Sequence, residues 1–274
     1  MSERNEPNMA TASPRRGAGF TLIEMLLVVA VIVLLIGILL PSLKRARSQA
    51  RTLLCTSNQV ALSHATLAYS ASNRGKLFPY DNADGLKHET FWMTLIDLYT
   101  GELDQLRMCP ETVMDPALQT SPQGGGWGTV KAAWGNPAGL GGFLGKNYGS
   151  YGWNAWMHSN TTDYIRSGNF AAGALYWKNL KLCRTPKTTP FFSDMHWVDT
   201  WFQNKIGGGV SNPPANLFAE NSGAGRVCID RHNRGVVHGY VDGSAGWTSL
   251  EDLWKLTWNS QSTPMNPPWA IPAQ

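Results

Sequence analysis

Charge is scarce in this chain: Asp, Glu, Lys and Arg make up 15% of its 274 residues, where soluble domains average about 25%. The formal net charge is only +4, and beyond Arg51 the two signs are interspersed. No basic stripe is available to track a phosphate backbone, which excludes nucleic acid as a partner. Cysteine is scarce too. Cys55, Cys109, Cys183 and Cys228 stand far apart, without the paired spacing of a zinc finger or ribbon, so a structural zinc is not expected. The chain has no G-x-x-x-x-G-K-[ST] phosphate cradle, no G-x-S-x-G elbow and no H-E-x-x-H pair. No local pattern selects a carboxylate pair for glycoside chemistry, and no fixed period repeats. An enzyme is therefore not expected. What the chain has in quantity is Gly, Pro and Trp, with 28, 16 and 12 of each.

It also has one long apolar run. From Phe20 to Leu40 only Thr21, Glu24 and Gly37 are not strongly apolar. At about 1.5 Å per residue this run spans roughly 30 Å, the hydrocarbon thickness of a bilayer. A secretory signal has an apolar stretch of about 7–15 residues and a small-residue cleavage site after it. Here Pro41 and a basic segment (Lys44, Arg45, Arg47, Arg51) follow instead, so the run is read as a retained membrane span. Positive charge on both flanks leaves orientation open by charge alone. Glu24 is the anomaly, because a carboxylate inside a spanning helix is costly. Five residues into the run, it can reach the headgroup region. Alternatively it meets a cation within an assembly, and a chain cut between Gly19 and Phe20 would supply one as a new α-amino group one helical turn away.

Gly19-Phe20-Thr21-Leu22-Ile23-Glu24 resembles the cleavage and methylation signal of type IV prepilins and of the pseudopilins of type II secretion. The match comprises the Gly before the cut, the Phe after it, the Glu four residues on, a basic leader and a spanning run. Pro41 stands where those proteins often carry a helix-kinking proline. The resemblance implies that a prepilin peptidase cuts after Gly19 and methylates the amine of Phe20. It implies that Glu24 pairs with the amine of a neighbouring subunit as a filament grows from an inner-membrane assembly platform. It also implies a single-pass inner-membrane protein with a cytoplasmic N-terminus and a periplasmic head. His232 to Asp242-Gly243, a His and nine residues before Asp-Gly, is similar to the carboxy-terminal signature of prepilin-like proteins abundant in planctomycete and lentisphaera-type bacteria. Ser150-Tyr151-Gly152-Trp153-Asn154 resembles a segment common in that group.

Pro41 leaves the Gly37 carbonyl without its helical donor, so the helix should kink or loosen there. Helical periodicity resumes through Leu43, Ala46, Ala50, Leu53, Leu54, Ala61, Ala65 and Ala68 and stops at Ser72-Asn73-Arg74-Gly75. One helix from Thr21 to Ser72 is expected, with the alanines as its packing stripe. The organisation is a leader (1–19), a transmembrane helix (20–40), its continuation (41–74) and a globular head (75–274). The fold class is α+β and pilin-like, with a long N-terminal helix packed on a loop-rich antiparallel β head. In the head, Phe91–Leu98 and Ser249–Leu256 are expected as short helices, and Gly124–Gly149 as a long surface loop. Strands are expected at Leu175–Trp177, Pro190–Ser193, Arg226–Ile229, Gly235–Val241 and Ala245–Thr248, with Asp242-Gly243 turning the last hairpin.

Four cysteines in an exported chain are compatible with two disulfides in any of three connectivities, or with four buried thiols. At least one bridge is expected. Asp194, His196, Asp230, His232, His238 and Asp242 are the clustered polar ligands. No cofactor is expected, with one exception: Asp194, His196, Asp230, His232 and Asp242 as ligands of a divalent cation. The simpler expectation is that His232 bonds the hairpin and Asp242 initiates its turn. Every tryptophan lies from Trp92 onward. Either these fill the core of a Gly-rich head, or Trp127, Trp134, Trp153 and Trp156 form a stacking platform for a carbohydrate or other polymer. The expected function is a structural filament subunit, and the alternative is a membrane-anchored minor pilin or binding module.

Overall fold

A computed structural model describes residues 20–79, 91–119, 126–138, 145–159, 175–204, 210–218, 220 and 222–273. One helix, α1 (Leu22–Ser72), runs unbroken through Pro41. Its apolar part is exposed along its whole length and is long and apolar enough to cross a membrane. The chain divides into two compact units, Met1–Arg47 and Ser48–Gln274, so the last turns of α1 belong with the head.

Those last turns bury Cys55, Gln59, Leu62, Ser63, Ala65, Thr66 and Ser70. The spacing of three and four residues is one helical face, yet it is mostly small and polar. Of the expected alanine stripe only Ala65 is buried. Leu53 and Leu54 are 70% and 57% exposed and sit off this face. Small side chains let α1 lie close to the sheet, and the sheet answers with a glycine. A Cβ on Gly239 would come within 2.7 Å of the Gln59 carbonyl oxygen and against Ser63 Oγ.

The head is built on a five-stranded sheet of β3 (Tyr151–Asn154), β4 (Pro190–Asp194), β5 (Asp199–Thr200), β6 (Gly235–Tyr240) and β7 (Ala245–Ser249), in the order β5-β3-β4-β6-β7. All neighbours are antiparallel except β3 and β5, which run parallel. A separate pair joins β1 (Trp134–Gly135) to β2 (Tyr148–Gly149). Two helices, α2 (Trp92–Thr100) and α3 (Leu103–Leu106), precede the strands, and α2 ends on Gly101 in the left-handed region. The β6–β7 hairpin turns at Asp242-Gly243, with Gly243 at φ 87° and Asp242 Oδ1 accepting from Ser244 N at 3.0 Å. A 3-10 helix at Leu250–Lys255 is capped by Ser249.

Two expected strands are absent, because Leu175–Trp177 and Arg226–Ile229 are turn and coil. The described part of the expected 124–149 surface loop is largely interior. Trp127, Ala132, Ala133 and Trp134 are buried, and β1 pairs across to β2. Every residue of β3 and β4 is buried, so both faces of the sheet centre are covered. The core is aromatic. Trp153 stacks on Phe191 at 5.6 Å between ring centres and meets Phe78 and Phe192 edge-on at 4.8 and 5.0 Å.

Candidate functional site

Two places carry chemistry. The first is the start of α1. Thr21 precedes the first helical residue, and its Oγ1 accepts from Glu24 N at 3.3 Å. The Glu24 carboxylate reaches back to accept from Thr21 N and Thr21 Oγ1, both at 2.8 Å. This is a capping box, Thr-x-x-Glu, which satisfies donors that a helix start leaves orphaned. The pattern stands in the sequence as Thr21 and Glu24 three residues apart. Phe20 is exposed at the helix entrance, and Gly19 lies outside the described residues.

The second place is in the head interior, where four segments distant in sequence converge. The buried face of α1 brings Cys55. The loop after α3 brings Cys109, whose N–H is held by Ser150 Oγ. The end of β4 brings Asp194, and the loop before β6 brings His232, whose N–H donates to Gly235 O at 3.0 Å. All four are buried, and their ligand atoms lie within 4.8 Å of one another. His232 Nε2 is 3.2 Å from Cys109 Sγ and 3.2 Å from Asp194 Oδ2. Cys55 Sγ lies 3.7 and 3.6 Å from the two Asp194 oxygens.

The surroundings hold these groups in place. Val237 N donates to Asp194 Oδ2 at 2.8 Å, and Tyr151 Oη donates to Cys55 Sγ at 3.3 Å. The guanidinium of Arg231 is fully buried, 3.4 Å from Asp194 Oδ1, and donates to the carbonyls of Ser150, Met195, Thr129 and Val130. Burial alone would raise the Asp194 carboxyl, but His232, Arg231 and the Val237 N–H together hold it below its usual range. Burial works against a charged His232, and the adjacent Asp194 carboxylate overrides it and raises the imidazole. Burial pushes the Cys55 thiol up, whereas hydrogen bonds from Cys55 and His232 bring Cys109 down in spite of burial. The interior thus holds negative charge on Asp194.

Of the five expected cation ligands only Asp194 and His232 meet. His196 bonds Glu220 through Nε2 and tilts against Trp127 at 5.7 Å. Asp230 Oδ1 accepts from Arg234 N at 2.6 Å, and Asp242 is committed to its turn. His238, on β6, bonds Ser193 Oγ. Cys55 and Cys109 take the places expected for those residues, and at 54 positions apart no spacing signal announced the pair. The expected bridge is not formed: all four cysteines are unpaired. Cys55 and Cys109 are turned into the cluster, Cys183 Sγ donates to Thr189 Oγ1 at 3.4 Å, and Cys228 is buried.

Of the two readings of the tryptophans, the core is the one found, and the stacking platform is not. Trp127, Trp134, Trp153 and Trp156 are core residues, and only Trp247 and Trp269, at 48% and 52%, are substantially exposed. An open pocket of about 510 Å³ lined by Tyr176, Trp177, Lys178, Leu182 and Arg184 presents a single, buried indole.

Residues 14–40 match the family model of the prokaryotic N-terminal methylation motif. This N-terminus is prepilin-like. The motif and the long apolar helix that follows support a type IV pilin- or pseudopilin-like precursor, and they point to a structural subunit rather than an enzyme. Such a prepilin-like N-terminus implies processing by a peptidase and assembly with other pilins, and it is consistent with membrane anchoring. No curated protein and no solved structure matches the chain.

Proposed function

We propose that this chain is a filament subunit of a type IV pilus or a type II secretion pseudopilus. It is cut after Gly19 by a prepilin peptidase and N-methylated on Phe20. It waits in the inner membrane with its N-terminus cytoplasmic and its head periplasmic, and assembles with like subunits on an inner-membrane platform. The observation that carries the reading is the methylation motif at residues 14–40 running directly into an exposed apolar helix. An apolar helix with so little buried must find lipid or other helices to cover it. Continuity of α1 to Ser72 supports the reading further, since a filament of such subunits needs a helix that passes from its core into a head.

The test is mass spectrometry of the chain recovered from cells with an active prepilin peptidase. The mature protein should begin at methylated Phe20. An intact leader in those cells would count against both processing and assembly.

A further inference from the structure

The filament reading uses the start of α1 and leaves the head interior unexplained. Membrane anchoring and polymerisation need no pair of thiols, a carboxylate and an imidazole facing one another in a dry core. Burying four such groups without a shared partner is costly.

The geometry identifies what they share. Thr52 Oγ1 donates to Ser48 O at 3.1 Å, so its remaining role toward His232 Nδ1, 3.1 Å away, is to accept. The Nδ1 proton is thereby fixed, and Nε2 faces Cys109 Sγ and Asp194 Oδ2. One N–H serves one acceptor well, while a cation at the centre serves four ligands at once. In a tetrahedral zinc site, with Zn–S of about 2.3 Å and Zn–N and Zn–O of about 2.0–2.2 Å, neighbouring ligand atoms stand about 3.6 Å apart for S and N or S and O, and about 3.4 Å for N and O. The corresponding separations here are 3.2 Å for Cys109–His232, 3.6 Å for Cys55–Asp194 and 3.2 Å for His232–Asp194.

We propose that Cys55, Cys109, Asp194 and His232 form a closed, structural zinc site that fastens the last turns of α1 to the β head. The donor set selects the metal: two sulfurs and an imidazole suit zinc and are foreign to calcium or magnesium, which take oxygen. On binding, both thiols and the Nε2 of the His232 imidazolium give their protons to solvent, so that the sulfurs ligate as thiolates and the imidazole as a neutral ring. Two thiolates, one carboxylate and a dication leave one net negative charge, and the buried Arg231 beside Asp194 cancels it. Thr52 on His232, and Arg231 and Val237 on Asp194, supply the outer contacts that orient zinc ligands. All four ligands are buried, so no position is left for substrate, and the role is structural rather than catalytic. The site stands independently of filament assembly, since either is possible without the other.

The rival is a Cys55–Cys109 disulfide, which an oxidising compartment would favour. Elemental analysis of the full chain, purified in detergent from zinc-replete cells without chelator, should find about one zinc per chain. Cys183→Ser and Cys228→Ser should keep it, and Cys55→Ser and His232→Ala should lose it. Because those two variants are exposed to misfolding, cobalt(II) exchanged into the wild-type protein gives a second readout. Expected are thiolate-to-cobalt charge-transfer bands and the intense visible bands of a tetrahedral centre. A Cys55–Cys109 linked peptide in unreduced digests overturns the proposal. So does metal-free protein with both thiols free, or zinc retained by the Cys55→Ser, Cys109→Ser double variant.

Discussion

Glu24 has two employments that a single substitution cannot separate. Its carboxylate closes a capping box with Thr21, and in the proposed filament its charge meets the methylated amine of Phe20. The two differ in what they need, because a cap needs an acceptor oxygen whereas an ion pair needs the charge. Glu24→Gln keeps the oxygen and removes the charge; Thr21→Ala keeps the charge and weakens the cap by about 1 kcal/mol. Leaving an amine buried without its counter-charge costs about 3–5 kcal/mol. Glu24→Gln should therefore insert and be processed normally while filament yield, measured by shearing and immunoblot, falls more than about tenfold. Thr21→Ala should stay within about twofold of wild type. Equal losses in the two variants would make capping the whole of Glu24's task.

At the scale of elements, what the sequence disclosed depended on whether a pattern repeats along one stretch of chain. The 51 residues of α1 were legible because apolar content and helical period persist over many turns, and β6 and β7 because a turn signal stands between two strand-like runs. Strands β1, β2 and β5 are two residues each, and β3 is buried on both faces, so none displays alternation. The packing face of α1 was misassigned because its partner is a glycine on β6, and a small, polar helix face is what such a partner admits. That contact is testable. Gly239→Val puts a branched side chain against the Gln59 carbonyl, a backbone atom that cannot rotate away. It should cost about 1–3 kcal/mol, seen as a lower urea midpoint followed by tryptophan fluorescence. Gly246→Ala on β7 meets only a Tyr240 ring carbon at an ordinary 3.8 Å and should change the midpoint little. Parity between the two variants would mean that α1 does not depend on close approach at β6.

For the whole molecule, the candidate centre was half legible: Asp194 and His232 stood out as clustered polar residues, but Cys55 and Cys109 become their neighbours only when α1 and a distant loop are folded onto the sheet. The same folding buries histidines, and with them sets an acid limit on the head. Burial forces His158, whose Nδ1 donates to Phe78 O at 3.1 Å, down to about 3, and burial likewise takes His238 to about 3. In the unfolded chain each returns to about 6.5. Between those values the unfolded state binds protons that the folded state refuses, so stability present above pH 6.5 drains away as pH falls, by at most about 1.4 kcal/mol per pH unit for each histidine. Asp199 runs the other way. Burial lifts its carboxyl to about 6 despite Arg226 at 2.8 Å, so the folded state takes up that proton first and gains stability as pH falls from about 6 toward the unfolded value of about 4. Burial takes His196 down to about 4 in the same way as the other two histidines, and three losses against one gain leave a net decline. Urea unfolding of the full chain in detergent at pH 7, 5.5 and 4.5, followed by tryptophan fluorescence, should show stability falling with pH. Asp199→Asn removes the compensating group and should steepen the decline, while His158→Asn keeps an N–H for Phe78 and should make it shallower. Protonation of the Cys55, Cys109, Asp194 and His232 centre is common to all three proteins and cancels in the comparison. Identical slopes in the three would mean that these buried groups do not set the acid response.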